Sequence, residues 1–170
     1  MALFGEVSKF FVIGFVLQII ALVIDIVGFA SPYWIKGESS IDGIKVEAHG
    51  GLWKYCISSD FSGQDVSNCN QVVTNAGWFK AVQAFACLGL ICLLIAVVAL
   101  PIKLRLDKAS LLHLSAGLTF AGAICILISI AVFAAKEKES GATGHFHFAF
   151  AFCVIAMILA IPAGILIIVG

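Results

Sequence analysis

Four long apolar stretches decide what this chain can become, at roughly 10–30, 78–100, 111–135 and 146–169. Each is close to the ~20 residues that carry a helix across the hydrocarbon of a bilayer. Backbone groups in hydrocarbon have no water to bond, so only helices or a closed barrel can span it. Barrel strands are shorter and alternate polar with apolar residues, which these runs do not. The chain therefore reads as a four-helix membrane protein. Its composition agrees: 62% of its 170 residues are hydrophobic and 12% are charged. Ten basic side chains balance ten acidic ones, which leaves nucleic acid without electrostatic support as a partner. The lipid bilayer is the partner that composition names. The first run is long for a signal peptide, is interrupted by Asp25 and is followed by Pro32, so it is read as a retained span.

The connections are 31–77, 101–110 and 136–145, and an even number of spans puts both termini on one side. Lys103, Arg105 and Lys108 face a single acid, Asp107, in the middle connection, and Lys9 precedes the first span. Counting Lys and Arg, that side is the cytosol. The expectation is cytosolic termini, with 31–77 and 136–145 as first and second extracellular loops. Lys136, Glu137, Lys138 and Glu139 read as a solvated loop end. With Gly170 closing an apolar run, no cytosolic tail is expected.

The 31–77 loop needs a reason to hold a shape. Cys56 and Cys69, thirteen positions apart, can close a disulfide, nominally worth about 3 kcal/mol for such a loop and implying an oxidising compartment. Cys87, Cys92, Cys125 and Cys153 lie in apolar runs and read as small apolar fillers. Trp34 and Trp53 supply an apolar centre. Residues 44–48 alternate as a half-buried strand does, and 33–36, 52–56 and 71–74 are further strand segments. Residues 37–43 and 58–68 are turn-forming by composition. The economical reading is a small antiparallel sheet whose exposed edges can pair with another chain.

Asp25 is the sharpest polar residue, since a carboxylate central in a span costs roughly 3 kcal/mol unless paired or wet. Lys80, at the start of the second span, is its nearest partner type, and the pair is read as an intramembrane anchor, with an ion or proton pathway as the alternative. Gln18 and Gln83 are read as interhelical hydrogen bonders. His145 and His147 flank Phe146 at the start of the fourth span and are placed at the interface; on a helix they diverge, so no metal site is expected. The small residues Ala156, Ala160 and Gly164, and likewise Gly117 and Ala121, recur every four positions and are assigned to packing within the bundle. No phosphate-cradling loop, zinc motif or nucleophile–base pair appears, so no enzyme, cofactor or small-molecule substrate is expected.

Trp34, then Gly51-Leu52-Trp53, then Cys56 and Cys69, placed between the first two of four spans, resemble the signature of the claudin superfamily. That group includes the claudins, the peripheral myelin and epithelial membrane proteins, the lens fibre membrane protein and the calcium-channel gamma subunits. The resemblance implies a left-handed four-transmembrane-helix bundle with a small extracellular antiparallel β-sheet from the first outer loop. It further implies a structural plasma-membrane protein that associates with itself and related four-pass proteins in cis and in trans at cell–cell junctions, forming or modifying a paracellular barrier. The second loop would share in contacts with the opposing cell. Asp60 and Asp65, the two formal charges between the cysteines, would then favour cations through their field. The opening Trp78-Phe79-Lys80-Ala81-Val82-Gln83-Ala84-Phe85 resembles the epithelial and lens branch. Phe85, Ala86 and Cys87 stand where claudins carry an arginine, and Asn68, Asn70 and Asn75 lack the glycosylation sequon. The alternative expectation is therefore a non-junctional tetraspan that regulates another membrane protein laterally.

Overall fold

The computed structural model describes residues 8–41, 44–61, 64–106, 109–140 and 144–170, with the backbone alone at 41, 44, 60–61, 64–66 and 140. The N-terminal arm, Asp107 and Lys108 lie outside the described residues. Helix α1 (Lys9–Ala30) starts at Ser8, whose side chain accepts from Phe10 N–H, and stops where Ser31 N–H donates to Val27 O. Helices α2 (Gly77–Leu106), α3 (Ala109–Ser140) and α4 (Phe148–Val169) follow. All four are long and apolar enough to cross a membrane.

Two helices run past the ends read from hydropathy. Pro101 lies inside α2, which continues to Leu106. A proline costs one helical hydrogen bond, but Leu100 is fully buried and Leu104 packs against the cluster of Phe11, Leu100, Ala116 and Ile167, so tertiary packing carries the helix through. Most of the expected 101–110 connection is consequently helical. Likewise α3 extends to Ser140, through the segment expected to be loop, with Lys136 paired to Glu139 one turn on. Lys and Glu are good helix formers, and their charge marks water rather than irregular backbone.

Helix α1 packs chiefly on α4, and α2 on α3. The absence of a side chain lets the first pair close up at Gly28, where a Cβ would stand 2.7 Å from Cys153 Sγ and 2.8 Å from Ala149 O. Gly89 and Gly122 do the same for α2 and α3. Ala156, Ala160 and Gly164 are buried within the bundle. Gly117 and Ala121 instead face outward, a correction to their assignment to internal packing: the α2–α3 crossing uses Gly122, one position round the helix. Buried hydroxyls bond across helices, Ser129 to Val82 O and Ser115 to Ala96 O. Gln18 donates to Thr119 of α3.

Among the described residues, five strands gather at the end of the bundle opposite Lys9 and Val169: β1 (Ile35–Ile41), β2 (Ile44–Gly50), β3 (Lys54–Phe61), β4 (Gln64–Gln71) and β5 (His145–Phe146). They form one antiparallel sheet in the order β4-β3-β2-β1-β5. Ile41 pairs with Ile44 and Phe61 with Gln64, so 37–41 and most of 58–68 are strand, where turns were expected. Beyond Gln71, the 71–74 segment is not strand. His145 belongs to β5 and His147 is the N-cap of α4, so the fourth helix starts later than Phe146.

Candidate functional site

Trp34 and the Gly51-Leu52-Trp53 turn, singled out in 31–77, converge on the junction of sheet and bundle. The last turn of α1 leaves carbonyls without helical partners, as any helix end does. Trp34 Nε1 donates to Gly28 O at 2.8 Å, and Trp53 Nε1 to Phe29 O at 3.0 Å. Trp34 is 1% exposed and meets Phe133 and Phe150 edge-on at 5.0 and 5.7 Å, the arrangement favoured by aromatic quadrupoles. Two polar handles and two large rings thus seat the sheet on α1.

The Gly51-Leu52-Trp53 turn is the wedge of this joint. Gly51 N–H donates to Lys54 O at 2.9 Å, and a Cβ at Gly51 would overlap Ser31 O and come within 2.7 Å of Pro32 Cα. Only glycine fits there. Leu52 is fully buried, and its carbonyl accepts from Gln83 Nε2 of α2 at 2.7 Å. Gln83 therefore ties helix to turn, where a helix–helix bond was expected. Cys56 and Cys69 are cross-strand neighbours in β3 and β4 and form a disulfide.

The PMP-22/EMP/MP20/Claudin family matches this chain over residues 8–167, which takes in the wedge, both cysteines and all four helices. The chain belongs to that family. It is also similar to the LHFPL tetraspan subfamily member 4 protein of Bos taurus, 24% identical over 118 residues that cover 65% of this chain and 45% of that protein. The chain thus spans less than half the length of that curated relative.

In this member of the PMP-22/EMP/MP20/Claudin family the two edges of the sheet differ. On one side β5 pairs with β1, His147 N–H donates to Trp34 O and Ala149 N–H to Tyr33 O. Both loops therefore form one unit. Tyr33 stacks on His49 at 4.2 Å and 8°, and meets His147 at 5.6 Å. Burial, with Lys36 nearby, holds His49 below the ordinary imidazole range. Lys36 lies 2.9 Å from Glu38 and 3.0 Å from Glu47; those bonds raise the ammonium and lower the Glu38 carboxyl. On the other side, among the described residues, β4 bonds only to β3. Its described side chains are exposed, and two residues past its end Val73 is 93% exposed. Composition gave no hint of that knob; only its exposure marks it.

Asp60 and Asp65 are partners in the β3–β4 register, their side chains lying outside the described residues. The expected Asp25–Lys80 pair does not form. Asp25 is 3% exposed inside the bundle, whereas Lys80 is exposed on α2. The buried face of α2 runs through Phe79, Val82 and Ala86, and Lys80 lies off it. Asp25 instead shares its surroundings with Ser129 of α3 and Cys153 of α4.

Proposed function

We propose that this chain is a structural tetraspan of the plasma membrane that binds copies of itself and related four-pass proteins at cell–cell contacts. Association in cis and in trans forms or modifies a paracellular barrier, with the sheet outside and the termini in the cytosol. The observation that supports this reading is the open β4 edge running on into Val73. An unpaired strand offers a row of main-chain donors and acceptors to another chain, and an adjoining apolar side chain supplies burial on contact. The mechanism is assembly and exclusion, without catalysis. Where the sheet lines the gap between cells, Asp60 and Asp65 supply a negative field that favours cations.

The test mixes two populations of cells that lack junctional strands, each expressing the protein in a different colour. Enrichment at contacts between unlike colours is expected, and Val73→Asp should abolish it with surface delivery unchanged. A uniform surface signal from the wild type overturns homotypic adhesion.

A second reading, lateral regulation of another membrane protein, is favoured by the outward-facing Gly117 and Ala121 of α3. Small residues four apart let a second helix backbone approach closely. Cross-linking within a single membrane, with Gly117→Leu as the disrupting variant, would capture such a partner without any opposing cell.

A further inference from the structure

Asp25 Oδ2 is buried and has no hydrogen-bond partner among the described protein atoms. The residue borders a cavity of about 10 Å³ lined also by Phe29, Trp34, Ser129, Ile130 and Cys153. That volume is about the least that holds one water molecule, which also needs two to four polar partners. The lining offers them. Ser129 Oγ gives its proton to Val82 O at 3.0 Å and keeps its lone pairs for accepting, while the Cys153 thiol is a weak donor. No Lys, Arg or His borders the cavity, so the carboxyl has no cationic side chain to answer it. A metal ion is a poor occupant, because hard cations take six or more oxygen ligands and Asp25 and Ser129 are the only oxygen-bearing side chains in the lining.

We propose that this cavity binds a single water molecule, which donates one hydrogen to Asp25 Oδ2 and the other to Ser129 Oγ and accepts from the Cys153 thiol. The water joins α1, α3 and α4 directly beside the Trp34 ring, and Trp34 is bonded to Gly28, three residues on from Asp25. The intramembrane acid is thereby answered by solvent held inside the protein, and the joint that seats the sheet rests on a hydrated floor. This holds whether the protein acts at contacts or laterally.

Pulsed X-ray footprinting of the full chain in lipid nanodiscs tests this, because hydroxyl radicals born from a bound water oxidise the side chains beside it even where bulk water cannot reach. Trp34 and Ile130 should be oxidised in the wild type, while Ile167, which is fully buried away from the cavity, should not. Asp25→Asn keeps a polar acceptor in place and should retain the labels; Asp25→Leu should lose them. Ser129→Ala, which preserves the shape of α3, should lower them if the leucine variant does not fold, as judged by the Cys56–Cys69 bond. Oxidation of Ile130 no greater than that of Ile167 in the wild type overturns the proposal. So do undiminished labels in a folded Asp25→Leu or Ser129→Ala protein.

Discussion

The β1–β5 edge and the β4 edge belong to one sheet but are held by different physics. At β1–β5 the main chain of both loops is stitched to Trp34 and Tyr33, the Trp34 ring is buried among aromatics, and indole N–H groups complete the end of α1. That edge is closed because its pairing satisfies groups the bundle would otherwise leave bare. At β4 the nearest equivalents are one disulfide and one ladder of strand bonds. Under the proposed function, the closed edge seats the sheet on the bundle and the open edge is the one left to meet a partner.

The comparison breaks most visibly at Trp34. Trp34→Ala should cost about 3–5 kcal/mol and loosen sheet and bundle top together, read as lowered thermal stability in nanodiscs with faster hydrogen exchange in β1, β5 and the first turns of α4. A Trp34→Ala protein whose exchange changed only in β3 and β4 would show that the anchor lies elsewhere. Cys69→Ser should cost up to about 3 kcal/mol, but with exchange rising in β3 and β4 alone; loosening of the helices would mean the open edge is not independent. Gln83→Leu, which strands the Leu52 carbonyl, should cost about 1–2 kcal/mol and accelerate exchange at the Gly51–Trp53 turn without touching the disulfide.

The smallest effect concerns acid. Because His49 is held below its ordinary range, the unfolded state takes up the proton first as pH falls through about 6.5. The stability from the neutral, stacked ring is present above that value and is lost below it. Exchange in β2 near His49 should quicken on acidification, and His49→Phe, which keeps the stack on Tyr33, should flatten that response.

Elements differ in how much of them the sequence makes legible, for physical reasons. The four helices were legible because hydrocarbon forces each segment to satisfy its own backbone, a requirement met residue by residue. Strand ends differ from the sequence reading because polar stretches such as Gly37-Glu38-Ser39-Ser40 read as turn while the sheet pairs them with β2. A sharper signal was present: Asp42-Gly43 and Ser62-Gly63 are each followed by a strand and lie two residues long between paired positions, and an Asp-Gly pair is a strong hairpin cue. Those four residues lie outside the described structure. Trp34 and Trp53 were visible as an apolar centre, but their bonds to Gly28 and Phe29 were not, since an indole N–H finds its acceptor only once the helix end is beside it.

What the sequence determined by itself is local: four spans, their antiparallel order, a polar loop rich in aromatic residues, and two cysteines placed to meet. The tertiary structure alone decided who faces whom. Asp25 looked toward Lys80 in the linear order, yet α1 docks on α4 through Gly28 and turns the acid toward Ser129 and Cys153. Hydropathy is a property of each segment and survives without neighbours. Helix partnership depends on shape at a few glycines, and shape exists only in the assembled fold.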